Sequence, residues 1–268
     1  MEKRETIERM KLYLLDMDGT LYLGDRLYPF TKEFLAQIRR TGGRYLFLTN
    51  NSSKSVQAYV EKLENMGIHA KKEDFLTSSQ AMAHYLRKHH PGKTLYVCGT
   101  ESLKQELREN GFAVTEQADR AECIVMGFDT ELTFQKLSDV SRLLLTREIP
   151  YLATNPDLVC PTEFGAVPDC GSVCMMIRNA TGKLPTVIGK PEPLMPQLAM
   201  EKWGIPKEQT CVIGDRIYTD VKSGLNAGAT GILVLSGETD EQILAASPDR
   251  PDLVFRDCGE IAGILKSL

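Results

Sequence analysis

No apolar run in the chain approaches the roughly 20 residues that a bilayer-spanning helix needs. The opening stretch, MEKRETIERMK, is charged where an export signal carries its apolar centre. Both absences point to a cytoplasmic protein with no membrane partner. Basic residues are not in excess either: 32 Lys and Arg against 36 Asp and Glu give a net charge of −4. No cationic surface awaits a nucleic-acid backbone, and a small molecule is the expected partner. Histidine is scarce, and His69, His84, His89 and His90 form no ligand pattern with cysteine. The seven cysteines are odd in number and scattered, which argues against a disulfide framework in a chain with no export signal. Cys170 and Cys174 have helical spacing, but with no histidine near them in sequence they read as buried thiols. Low-complexity segments and solenoid-type repeats are also missing.

What is present is ordinary globular composition, 42% hydrophobic and 25% charged over 268 residues, enough for two domains that each bury a core. Apolar β-type runs alternate with helical segments: LYLLDMD, RYLFLTN, TLYVCG, ECIVMGF, PYLATN, TVIGK, TCVIGD, TGILVLS and DLVFRD. That alternation is the mark of parallel βαβ construction, so the fold class is α/β. Between the strands lie amphipathic stretches such as Ser53 to Met66, closed by Gly67, and Glu101 to Asn110, closed by Gly111. Turn chemistry at HHPGKT (His89 to Thr94) and NATGKLP (Asn179 to Pro185) brackets a middle segment. The expected division is a core formed by residues 1–90 and 184–268, with an inserted α/β domain over 91–183.

Four short motifs fall at the C-terminal ends of strand candidates, the edge where open parallel sheets place ligands. LLDMDGT carries Asp16 and Asp18, which face the same side if the strand continues that far. FLTNN carries Thr49 and Asn50, GKPEP carries Lys190, and IGDRIYTD carries Asp215 and Asp220. Singly, each has an ordinary explanation as a turn or helix cap. Together they make a chemical set. Four carboxylates in one pocket would repel by about 4 kcal/mol per pair at roughly 4 Å and an effective dielectric constant of about 20, which calls for a cation. All-oxygen ligands suit Mg2+, which characteristically joins carboxylates to phosphate. Lys190 adds positive charge, and Thr49 and Asn50 add neutral donors for phosphoryl oxygens.

In order and spacing these motifs resemble the haloacid dehalogenase (HAD) superfamily of aspartate-nucleophile phosphohydrolases. LTNNS, GKPEP and ATNPD…PT…G resemble its subclass IIA, the NagD-like or p-nitrophenyl-phosphatase-like branch, over almost the whole chain. The resemblance implies a Rossmann-like three-layer core with a parallel sheet and an inserted C2-type cap. It implies an Mg-dependent phosphatase that hydrolyses small phosphate monoesters, of the sugar, polyol, pyridoxal or nucleoside kind, through an aspartyl-phosphate. Asp16 would be the nucleophile and Asp18 the general acid, then base. Asp16, the backbone carbonyl of Asp18 and Asp215 would hold the metal, with Asp220 acting through a water or by orienting Lys190. Thr49, Asn50 and Lys190 would bind the phosphoryl group, while Asn51, Cys160, Glu163 and Asp169 would face the rest of the substrate. One position departs from the pattern: VPDCGS has Asp169 where relatives commonly have Gly. Relatives of this kind often dimerise, so a homodimer is a further expectation.

Other readings fit less well. Asp18 disfavours dehalogenation, because displacing a halide needs no leaving-group acid. A phospho-receiver module carries its phosphorylated Asp on a later strand than its acidic pair, and a silent binding module would have lost one of the motifs. A phosphotransferase or mutase shares the phosphoenzyme chemistry and differs only in the acceptor.

Overall fold

The computed structural model describes residues 2–162 and 164–268. The chain forms two compact units, one of Met1–Thr49, Val60–Leu76 and Lys190–Leu268, the other of Asn50–Tyr59 and Thr77–Gly189.

The first unit is built on a six-stranded sheet in the order Leu253–Phe255, Thr230–Val234, Thr210–Gly214, Leu12–Leu15, Arg44–Thr49, Phe75–Thr77. The strand Leu12–Leu15 is wholly buried, because a central strand of a covered parallel sheet has core on both faces and reads as an unbroken apolar run. It pairs in parallel with Thr210–Gly214 on one side and Arg44–Thr49 on the other, Leu15 lying opposite both Ile213 and Phe47. From this strand the sheet grows one way with the early chain and the other way with the late chain. That is a topological switch point, which opens a crevice beyond the carboxyl ends of the strands. The helix Thr31–Arg40 buries Phe34, Leu35 and Ile38 on one face and packs against Cys258–Lys266, with Lys266 Nζ 3.5 Å from Glu33.

The second unit has its own parallel sheet, in the order Thr186–Val187, Tyr151–Ala153, Cys123–Met126, Leu95–Cys98, Val114–Thr115. Its core gathers Tyr96, Ile124, Met126, Val140, Leu143, Tyr151, Val173 and Ile177, among others. The helices start on side-chain caps: Thr77 for Ser78–His89, Thr100 for Glu101–Glu109 and Thr133 for Phe134–Thr146. An antiparallel hairpin, Val159–Thr162 with Gly165–Pro168, stands apart from the sheet.

All nine strand candidates contain a strand, and both glycine-closed helices end as expected. Gly67 and Gly111 sit at positive φ, and the helices run Val56–Asn65 and Glu101–Glu109. The turn-rich breaks near His90 and Leu184 differ from the compact units. Residues 50–59 and 77–90 cluster with the middle segment, as do 184–189, where Thr186 and Val187 pair with Leu152 and Ala153. Turn residues mark where the chain bends, whereas a unit is set by which side chains share a core. Among the described residues, no helix is long and apolar enough to cross a membrane, and none of the seven cysteines is in a disulfide.

Candidate active site

The first strand ends at Leu15, and the Asp16 N–H donates to Ile213 O at 2.9 Å, so the backbone of Asp16 still follows the ladder while its side chain leaves the sheet edge. A tight turn follows at once. Leu21 N donates to Met17 O at 2.8 Å and Gly19 N to Tyr22 O at 2.7 Å, with Gly19 at φ +83°. Tyr22–Leu23 then pairs with Arg26–Leu27 in a short hairpin. Asp18 therefore lies past the strand, on a turn and not on a continued strand. It is exposed, bridges to Tyr22, and its carboxylate accepts a long 3.5 Å contact from Gly24 N.

Asp16 meets three other predicted residues. Lys190, only 2% exposed, donates to Asp16 Oδ1 at 2.6 Å and to Asp220 Oδ1 at 2.5 Å. Asp215 follows the strand Thr210–Gly214, and Asp220 sits in the single π-helical turn Ile217–Val221 that leads into the helix Lys222–Asn226. Asp16, Asp215 and Asp220 offer carboxylate oxygens within 4.8 Å of one another, the one such trio of His, Cys, Asp or Glu among the described residues. Asp220 Oδ2 also accepts from Arg216 N at 3.0 Å. The Asp215 oxygens accept from Thr20 Oγ1 at 3.2 Å and from Glu238 N at 2.7 Å. A Cβ on Gly19 would lie 2.4 Å from that carboxylate, and one on Gly237 2.1 Å, so only glycine lets the two loops close around it. Thr49, buried, ends the strand Arg44–Thr49 that neighbours Leu12–Leu15.

The electrostatics follow from this packing. One ammonium among three carboxylates leaves two negative charges uncompensated. Burial, then the charge of Asp220, raises the Asp16 carboxyl well above the ordinary range, with Lys190 acting in opposition. Burial and then Asp220 push Asp215 up to about 6, against the pull of the Glu238 N–H. Burial alone would lower Lys190, but Asp16 and Asp220 overcome it and hold the amine above its usual value. Such a group is stabilised by a hard divalent cation that accepts oxygen ligands, and Asp16, Asp215 and Asp220 bring carboxylate oxygens of that kind within 4.8 Å of one another.

The remaining predicted residues lie in the second unit. Asn50 Nδ2 donates to Asp157 Oδ2 at 2.9 Å, while Asn50 O accepts from Ser78 Oγ at 2.6 Å and Asn155 Nδ2 at 3.0 Å. Asn51 Oδ1 closes a turn on Ser53 N and Oγ. Cys160, half-buried, lies in the hairpin opposite Val167. Glu163 is outside the described residues. Asp169 is buried and caps the helix Cys170–Thr181, accepting from Cys170 N at 2.5 Å and more weakly from Asn155 at 3.4 Å. That geometry gives Asp169 a structural task as the cap of this helix. Sequence reasoning missed Thr20, Gly19 and the loop Ser236 to Thr239. The signal for the loop was its position after TGILV, a strand ending at the same sheet edge.

The chain matches two family models, that of the haloacid dehalogenase-like hydrolases over residues 13–113 and that of HAD-hydrolase-like proteins over 187–261. It is 33% identical to the acid sugar phosphatase of Staphylococcus aureus, over 95% of this chain and 97% of that one. Among solved structures, a 4-nitrophenylphosphatase from Thermotoga maritima superposes with a TM-score of 0.91 at 40% identity, covering 96% of this chain and 98% of that one. A protein described as nagD superposes with a TM-score of 0.88 at 38% identity, over 95% and 98%. With the acidic trio and its lysine at the sheet's switch point, these likenesses place the chain in the HAD superfamily of hydrolases, as a phosphoric monoester hydrolase of the NagD-like subclass IIA.

Proposed function

We propose that this enzyme hydrolyses small phosphate monoesters, sugar phosphates among them, through an aspartyl-phosphate formed on Asp16. The observation that carries the proposal is Lys190 wedged between Asp16 and Asp220, with Asp215 beside them at the crevice. Asp16 is the carboxylate that attacks phosphorus in line. Lys190 keeps one oxygen of Asp16 oriented and offsets phosphoryl charge as an anionic nucleophile approaches an anionic substrate. Thr49 and Asn50 supply neutral donors to the phosphoryl oxygens. Asp18, exposed at the turn before a two-stranded hairpin, protonates the leaving oxygen and later takes a proton from the hydrolytic water. Asp16, Asp215 and the backbone carbonyl of Asp18 would hold Mg2+, which would supply charge neutralisation, and Asp220 orients Lys190. The names of relatives support the substrate class: one is an acid sugar phosphatase and another a 4-nitrophenylphosphatase. A cytoplasmic setting and a homodimer belong to the same proposal, on resemblance.

The decisive test is turnover of a broad panel of sugar, polyol, pyridoxal and nucleoside monophosphates with magnesium, each assayed with and without an added alcohol. Release of inorganic phosphate from one group of esters, unchanged by the alcohol, is the expected outcome. Phosphoryl transfer to the alcohol as the main product would convert the reading to a phosphotransferase. No turnover of any ester would overturn it.

A further inference from the structure

We propose that Glu238 is a positioning residue for the metal site, holding the Asp215 carboxylate in its ligating orientation through a ring of contacts with Arg216 and Tyr218. The inference rests on the reading that Asp215 holds magnesium. Each oxygen of Asp215 already accepts one hydrogen bond, from Thr20 Oγ1 and from Glu238 N, which leaves lone pairs for a cation while fixing the plane of the carboxylate. The second of these donors is a backbone group, so its place is set by whatever holds the loop Ser236 to Thr239.

Glu238 itself does so. Its Oε2 lies 2.8 Å from Arg216 Nε, and its Oε1 accepts from Tyr218 Oη at 2.6 Å. Arg216 is bonded in the chain to Asp215, and Tyr218 is two residues further on. The side chain of Glu238 thus grips the segment that carries Asp215, while its N–H grips the Asp215 carboxylate. Thr239 closes the loop's other end, its N–H donating to Asp215 O at 3.2 Å and its Oγ1 accepting from Ile217 N at 3.3 Å. The ring has little to give global stability. The Glu238 side chain is 34% exposed and Tyr218 41%, and pairs this open add little to folding. Its effect is on direction: a freed loop lets the carboxylate rotate and lose the oxygen aimed at the ion. A carboxylate accepts from both donors with its charge on both oxygens. A glutamine can keep its oxygen on Arg216 and turn its NH2 to the Tyr218 hydroxyl, but it loses the charge that strengthens both contacts.

Calorimetric titration of Mg2+ into substrate-free enzyme tests the assignment. Glu238→Ala is expected to weaken magnesium binding by about 10-fold or more, and Glu238→Gln by less, in line with other residues that orient metal ligands. The magnesium concentration for half-maximal turnover should rise in the same order. The melting temperature in chelator should stay within about 3 °C of wild type, because solvent-exposed pairs of this kind add little to folding. If Glu238→Ala fails to fold, Tyr218→Phe removes one grip without changing shape and should weaken binding severalfold. Wild-type affinity in folded Glu238→Ala, or in Tyr218→Phe where that variant decides, overturns the inference alone. A wild-type protein that takes up no magnesium overturns the metal reading, and the inference with it.

Discussion

At the scale of single residues, the proposed chemistry concentrates on Asp16. Its carboxylate is the only one of the trio that is partly open, 16% exposed against 1% for Asp220, so it is the one an incoming phosphorus can reach. Asp16→Asn removes the attacking charge with almost no change of shape, and turnover should fall by several orders of magnitude while the fold survives. Steady-state assays beside a far-ultraviolet spectrum check this, and near-normal turnover by a folded variant would contradict the nucleophile. Much of this was readable in the sequence, because LLDMDGT, GKPEP and IGDRIYTD each set a charged residue just past an apolar strand. The turn that carries Asp18 was not. Same-side projection of residues i and i+2 holds only on extended backbone, and here the strand stops at Leu15 with Gly19 turning the chain. The Asp215 support was equally hidden, since a backbone N–H has no letter of its own.

At the scale of elements, the strands inside apolar runs were legible, and several short pairings outside such runs were not. Thr210–Gly214 and Arg44–Thr49 are apolar for most of their length. Tyr22–Leu23, Arg26–Leu27 and Val114–Thr115 are two residues each, too short for any period, and Val159–Thr162 carries a proline that reads as loop. Helix packing offers a sharper test. Glu106 lies on Glu101–Glu109, which packs on Ser78–His89, and burial pushes its carboxyl up to about 7 from an ordinary 4.5, with Ser79 pulling the other way. The native state therefore holds this proton more tightly than the unfolded chain does. The cost to stability is absent below about 4.5 and grows as pH rises to about 7, where it is complete. Glu106→Gln should be more stable than wild type by on the order of 2 kcal/mol at alkaline pH, with the gain fading in acid. Urea unfolding at either end of that window measures it; a difference that ignores pH would mean that the buried charge is not its source.

At the scale of the whole molecule, metal and chemistry should separate. An ion that binds the folded protein and not the unfolded chain stabilises it by about 2.7 kcal/mol at a hundredfold excess over its dissociation constant. For a chain of this size that is a rise of roughly 5–10 °C in melting temperature. Magnesium should give this rise in wild type and lose most of it in Asp215→Asn. Calcium, with longer bonds and more ligands, should also raise the melting temperature yet inhibit turnover, because it can occupy both oxygens of Asp16. Thermal scans and assays in the same buffers decide the matter, and full activity in chelator would contradict it.

The pairing of Leu15 with Ile213 also fixes an order of events on the ribosome. Asp16 is translated first, and the strand that brings Asp215 beside it is made almost 200 residues later, tens of seconds at the slower rates of synthesis. By then both pieces of the second unit, Asn50–Tyr59 and Thr77–Gly189, have been translated. The first strand meanwhile waits with one edge unpaired, a template for stray β-contacts between nascent chains. A polysome carrying this message thus holds copies of Asp16 that have not yet met Asp215, and the acidic trio closes only once Thr210–Gly214 and the turn after it have been made.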